Sequence, residues 1–258
     1  KLLPKAPGLP PDSLSDCLAA AKKYGVAVHV WRVNWNLFGQ TDPKQVAKLR
    51  AAGRLLVDRA GEPVDWLCPS NPENQKLELE AMVEIARNYP VAGLHFDYIR
   101  YNDVNGCFCA GCRARFEKML GHPAADWPAC TREGLKDAWT DFRCAQIDET
   151  VRRVSEAVHK AHPACVVSAA VFPDWPATRV TIAQDWGKWC RKGWLDAVCP
   201  MIYSMSGPWF EKTMRRNHAD AAGVKYYPGI GFLWSANQDR DVDNALRVAE
   251  QIRAARAA

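Results

Sequence analysis

The chain alternates short apolar runs of strand length with longer amphipathic stretches of helical period, and the alternation continues from one end to the other. Pro10 to Gly25 reads as a helix, with Ser13 as its N-cap and Gly25 as its stop. Val26-Ala27-Val28-His29-Val30-Trp31 reads as a strand that leads into Arg32-Val33-Asn34-Trp35. Asp42-Pro43 is a cap followed by a first-turn proline, and that helix closes at Gly53. Leu55–Val57 and Val64–Leu67 flank Arg59-Ala60-Gly61-Glu62 and read as a hairpin inserted after the first strand. Asn71-Pro72 caps a helix to Asn88, which feeds the apolar run Gly93–Arg100. Beyond a loop, Thr131 to His162 is one long amphipathic segment. Three strand-and-helix pairs follow: Cys165–Phe172 with Ile182–Arg191, Leu195–Ile202 with Pro208–Ala222, and Tyr226–Phe232 with Asp239–Ala257.

Five core strands, each followed by a helix, imply an α/β fold with a mainly parallel sheet. A chain of 258 residues suits a single (β/α)8 TIM-barrel domain over residues 1–258. Eight strands close such a barrel, so about three are missing. The expected fold is therefore an incomplete barrel carrying an inserted hairpin and a Cys-rich loop. On barrels of this kind the C-terminal strand ends and the loops after them form the active face. Gly93-Leu94-His95-Phe96-Asp97-Tyr98-Ile99-Arg100-Tyr101 then becomes the most informative stretch, because a buried strand ends there in a carboxylate among aromatics and an arginine. The plainer alternative is that Asp97 caps its loop or pairs with Arg100.

Composition adds the substrate class. There are 11 tryptophans, and Trp31, Trp35, Trp66, Trp175, Trp209 and Trp234 fall where strands end. An indole offers a flat apolar face and one N–H donor, which matches a sugar ring; the alternative is that most of these pack in the core, with about two or three in a groove. The net charge is +5 with the signs interspersed, and Met214-Arg215-Arg216 reads as a solvated helix face rather than a nucleic-acid footprint. No apolar run approaches the ~20 residues that span a bilayer. Gly229-Ile230-Gly231 lacks the third glycine and the context of a phosphate loop.

In this order the segments resemble the glycosyl hydrolase-like 10 family of bacterial glycosidase-type proteins over nearly the whole chain. The resemblance runs through Val28–Trp31, Trp66–Asn74, Gly93–Tyr101, Val171–Trp175, Gln184–Trp186, Trp194–Asp196, Cys199–Tyr203 and Tyr227–Gly231, with His95-Phe96-Asp97 the most specific stretch. It implies a (β/α)8 barrel that acts on or binds a polysaccharide. Set against the family, the chain begins after the second barrel strand and stops before the eighth.

Most glycosidases work with two carboxyl groups. Asp97 and Asp174 are the carboxylates expected at C-terminal strand ends, with Asp97 as nucleophile or base and Asp174 as acid. Asp196 opens its strand on the opposite face, and Asp185 lies on the following helix as a cap or a solvent-facing group. The substrate-binding candidates are Trp31, Arg32, Asn34, His95, Tyr98, Arg100, Trp175, Tyr203 and Trp234. Either Arg32 or Arg100 is a candidate for an acidic sugar, or for an internal salt bridge.

Cys107-x-Cys109-x-x-Cys112 can ligate one tetrahedral zinc with a fourth ligand, Cys68 or Cys130; disulfides or free thiols are the alternatives. A similar loop occurs in zinc-bearing family-42 β-galactosidases. Four thiolates leave no open position, so the zinc would be structural, and no cofactor is expected for catalysis. His159-x-x-His162 reads as surface histidines. The leading function is a glycoside hydrolase with an oligo- or polysaccharide partner, no nucleic acid and no membrane span. A non-catalytic carbohydrate-binding barrel comes second and a zinc-dependent hydrolase third. Aromatic richness and cysteine usage hint at a secreted or periplasmic protein.

Overall fold

The computed structural model describes residues 8, 11–37, 41–104, 106–204, 206–231 and 241–257. In chain order the elements are α1 (Ser13–Tyr24), β1 (His29–Val33), α2 (Pro43–Ala51), β2 (Leu55–Val57), β3 (Pro63–Leu67), α3 (Pro72–Asn88), β4 (Gly93–Asp97) and α4 (Ala110–Leu120). They continue with a 3-10 turn (Ala129–Arg132), α5 (Lys136–Ala161), β5 (Val166–Val171), α6 (Ala177–Ile182), α7 (Trp186–Arg191), β6 (Ala197–Pro200), α8 (Gly207–Asp220), β7 (Lys225–Tyr226) and α9 (Asp241–Arg256). The five expected core strands form one sheet in the order β1-β4-β5-β6-β7, each neighbour parallel, and β2-β3 is a separate antiparallel hairpin. Among the described residues the sheet does not close into a barrel.

Register divides each strand into two faces. Leu94 and Phe96 on β4, Val167, Ala169 and Val171 on β5 and Val198 on β6 are fully buried, and they alternate with an opposite series. In that series Trp31 is level with His95, His95 with Ser168, and Ala170 with Cys199. The apolar series faces the helices, where α3 and α5 pack against the sheet; the second series forms the inner face. Parallel strands in a closed barrel are covered on both sides. Among the described residues the inner face is only partly covered: Ser168 and Ala170 are buried, whereas Trp31 on the edge strand is 61% exposed.

Local chemistry sets most boundaries and corrects several expectations. Asp12, not Ser13, caps α1, accepting from the Ser15 amide. Asp42 and Asn71 cap α2 and α3 ahead of their first-turn prolines. The long amphipathic segment is broken into the 3-10 turn and α5. The expected helix 182–191 is realised only from Trp186, as α7; Ile182 instead ends the separate helix α6, and Ala183 after it adopts a left-handed conformation (φ 56). Gln184 turns inward there, fully buried, and its side-chain oxygen accepts from the Phe172 amide at 2.8 Å. Asp185 occupies the N-cap position of α7, but its side chain makes no capping bond and does not face solvent: it is buried and accepts from Trp175 Nε1 and Arg179. The last strand is shorter than its apolar run, although a bridge between Met201 and Gly229 prolongs the pairing. No described helix is long and apolar enough to cross a membrane.

Candidate active site

β4 lies between β1 and β5 in the sheet and ends at Asp97. The next residue, Tyr98, is turned into the left-handed region (φ 56). For a bulky residue this conformation costs of order 1–3 kcal/mol and is found where the surroundings enforce it. The enforcing contact is the Tyr98 amide, which donates to Asp97 Oδ1 at 2.7 Å. On the other oxygen, Trp31 Nε1 donates to Asp97 Oδ2 at 3.0 Å. The Arg100 guanidinium lies 3.7 Å from Oδ1 and stacks on both the Tyr98 and Phe172 rings, at 4.3 and 4.8 Å. Burial pushes the Arg100 guanidinium below its ordinary value, and the Asp97 charge opposes that shift. The result is a carboxylate with a donor on each oxygen and a buried cation alongside, its side chain 13% exposed.

Two strands further along, Tyr203 is 46% exposed. Burial, and then the Asp97 charge, push its hydroxyl above the usual phenol value. Beside Asp97 on the same face, His95 Nδ1 is 2.8 Å from Ser168 Oγ. Burial lowers the His95 imidazole, with Asp97 opposing and His29 assisting.

Asp174 lies just beyond β5. It pairs with Arg216 of α8 at 3.0 Å, its side chain is 61% exposed, and it shares a 240 Å³ cavity with Phe172 and α6. Phe172 thus touches both Arg100, which neighbours Asp97, and the cavity that Asp174 lines.

Glycosyl hydrolase-like 10 is the family whose sequence profile matches residues 5–250. The chain belongs to this family. Solved structures add the fold. The glycoside hydrolase domain of PgaB (BpsB) from Bordetella bronchiseptica aligns with a TM-score of 0.69 at 14% identity, over 92% of this chain and 69% of that one. The catalytic domain of β-amylase from Paenibacillus polymyxa aligns at 0.64 and 12% identity, over 96% and 78%. A β-galactosidase from Rahnella sp. R3 aligns at 0.62 and 18% identity, over 84% and 36%. An S-layer-related protein of Niallia circulans is 25% identical over 166 residues, which are 58% of this chain; the chain spans about a tenth of that relative's length. The fold of this family member is accordingly of TIM-barrel glycosidase type, with the barrel open among the described residues.

The structure sorts the other sequence candidates. Arg32 and Asn34 turn to the helix side, where Arg32 donates twice to Glu78 of α3, at 3.0 and 2.6 Å, and Asn34 once, at 2.6 Å. Arg32 is therefore in an internal salt bridge, with a glutamate rather than a site aspartate. Trp175 packs against Trp186 and under the Arg191 guanidinium. Trp234 lies outside the described residues. Asp196 accepts from His159 and the Val167 amide, tying α5 to β5. Glu78 and Ser168 escape the sequence reading. The signal for Glu78 is its spacing: Asn74, Glu78 and Met82 lie four residues apart on the buried face of α3, so a carboxylate occupies a core stripe.

Cys68, Cys107, Cys109 and Cys112 bring their sulfurs within 4.8 Å of one another. Cys130, the other sequence candidate, is not in this cluster. Cys68 Sγ lies 4.0 Å from Cys109 Sγ and 3.5 Å from Cys112 Sγ. A tetrahedron with metal–sulfur bonds of 2.3 Å has edges of about 3.8 Å, so the four sulfurs fit one ion. Donors surround them: the Val57 amide to Cys107, the Cys112 amide to Cys109, and the Ser70 hydroxyl 2.9 Å from Cys112. Hydrogen bonding from Cys107 pulls the Cys109 thiol far below its ordinary value, while Cys107 itself is pushed up by Cys109. Four sulfurs compete for protons that one cation would replace.

Proposed function

We propose that this chain is the catalytic portion of a glycoside hydrolase acting on a polysaccharide, with Asp97 as its reacting carboxylate. The observation that carries this is the setting of Asp97. It ends a sheet strand on the face where barrel enzymes do chemistry, and both its oxygens accept hydrogen bonds. A carboxylate held as an acceptor on both oxygens suits a nucleophile or base, which must present lone pairs, better than an acid. Membership of the glycosyl hydrolase-like 10 family supports the same class of reaction.

In this reading Asp174 is the acid partner, reaching the leaving oxygen from the Phe172 side of the cleft. To carry a proton there it must release Arg216. Trp31, His95, Tyr98 and Tyr203 line the sugar. Arg100 and the Arg32–Asn34–Glu78 group act as positioning residues, the first for Asp97 and the second for the end of β1. Trp175 supports the β5 loop from behind. The four cysteines would hold a structural zinc, Cys68 completing the set. Zinc would brace the loop between β4 and α4 and supply no open position for chemistry.

The test is release of reducing sugar from a polysaccharide panel, with wild type and Asp97→Asn side by side. Release that disappears in the variant supports the reading. Release that is equal in both proteins overturns the role of Asp97. The second reading is a non-catalytic carbohydrate-binding barrel, and the Asp174–Arg216 ion pair favours it, because it engages the second carboxyl. Glycan binding without release by either protein would select that reading.

A further inference from the structure

Four strands contribute an exposed aromatic ring to the inner face, and β4, between two of them, contributes Asp97. Trp31 comes from β1, Phe172 from the end of β5, Tyr203 from beyond β6 and Tyr227 from beyond β7; they are 61, 42, 46 and 58% exposed. Each has its own reason to face this way. Trp31 is fixed by its hydrogen bond to Asp97 and Phe172 by the Arg100 guanidinium. Tyr227 follows Tyr226, whose ring faces His218 of α8 at 5.4 Å, so alternation turns Tyr227 to the opposite face.

Tyr203 is placed by two glycines. A Cβ at Gly231 would come within 2.7 Å of Tyr203 Cβ, and one at Gly229 within 3.1 Å of its ring carbon Cε1. Gly229 and Gly231 are two residues apart, so they lie on one face of the extended segment, and the tyrosine rests on bare backbone there. The Pro228-Gly229-Ile230-Gly231 run, which carries no chemistry of its own, is the bed of this ring.

We infer that these strand ends form a track for an extended oligosaccharide, with one aromatic platform on the β1 side of Asp97 and three on the β5–β7 side. The inference rests on the glycosidase reading and specifies its ligand. Strands are ~4.8 Å apart, so β1 to β7 spans about 19 Å across four intervals, the length of a short chain of sugars rather than a single ring. The rings are separate platforms set at strand spacing, which suits a ligand that repeats a C–H face along its length. Such a track binds along the chain and asymmetrically: most of the binding lies on the β5–β7 side, and the bond beside Asp97 is internal to the bound chain.

The test is isothermal titration calorimetry on the 258-residue chain carrying Asp97→Asn, which separates binding from turnover. The probes are β-1,4-linked oligomers of glucose, galactose and N-acetylglucosamine, from dimer to hexamer. Affinity is expected to climb with length and level off once the track is filled. Tyr227→Ala, confirmed folded by circular dichroism, should remove about tenfold of the affinity for the longest oligomers, the loss of one stacked ring, and progressively less from shorter ones, which can seat on the remaining platforms. Gly231→Ala should act in the same direction by displacing Tyr203. Affinity independent of length, or a Tyr227→Ala effect equal at all lengths, overturns the track; if the wild type still releases sugar from polysaccharide, the glycosidase reading survives it. Failure of every oligomer to bind, with no release from any polysaccharide, overturns both.

Discussion

The ends of β4 and β5 both finish an apolar run with an aspartate among aromatics, yet their environments are opposite. Asp97 is enclosed, accepting from Trp31 and Tyr98 with Arg100 alongside. Asp174 stands mostly in solvent and is paired with an arginine of the outer helix layer. The difference arises from distance along the chain. Asp97 is the last residue of its strand, so its own turn and the neighbouring edge strand can hold it. Asp174 lies past the strand end, on a proline-flanked loop, and takes its partner from a helix. Two carboxylates that close similar apolar runs therefore differ in how firmly they are oriented, and orientation is a large part of what a catalytic group contributes.

The largest way to test that contrast is Asp97→Asn, expected to lower turnover of a responsive glycan by roughly 10²–10⁴-fold while urea unfolding stays near wild type. Next comes the scaffold beneath it. Glu78→Ala leaves the Arg32 guanidinium without its buried acceptor and is expected to cost about 3 kcal/mol, read as a lower urea midpoint. Asp174→Asn should cost about 10–100-fold on natural glycans. It should cost much less on an aryl glycoside, whose leaving group needs no proton; equal losses on both would remove Asp174 as the acid. Trp31→Phe keeps the ring but removes the donor to Asp97, and a loss of about tenfold in kcat with little change in KM is expected. The smallest effect concerns His95. Its folded value is lowered by burial, so the unfolded chain takes up a proton more readily as pH falls below about 6.5. Stability should then decline as pH drops through that value toward the folded one, and His95→Gln should flatten the decline, measured as urea midpoints at pH 7 and pH 5.

The zinc reading has its own measurement. Chelator treatment of metal-loaded protein should lower Tm by several degrees without altering the sheet signal in circular dichroism, because the ion braces one loop. Metal analysis of reduced protein that finds no bound zinc would remove the ion from the account.

Much of the fold is legible in the sequence. Asp42-Pro43 and Asn71-Pro72 predict helix starts because a side-chain cap and a fixed φ act within three or four residues. The hairpin around Gly61 and the five apolar strands are equally local signals. The break at Ala183 was not legible, because it depends on Gln184 reaching the Phe172 amide twelve residues back. The partner of Arg32 and Asn34 is not legible either, for a related reason. Periodicity states that residues 30, 32 and 34 share a face, but not which layer covers that face. Burial of Glu78 on the apposed helix decides it.

By itself, then, the sequence determined the alternation of elements, the family, the strand that ends in Asp97 and the three clustered cysteines of one loop, all carried by near neighbours along the chain. Only tertiary structure decided that Cys68 joins those cysteines, that Trp31 holds Asp97, that Asp174 belongs to Arg216 and that two glycines bed Tyr203. Each of these joins residues from different elements of the chain. A hydrogen bond or van der Waals contact acts over a few ångströms, and which distant residues come that close is set by packing the whole sheet against its helices.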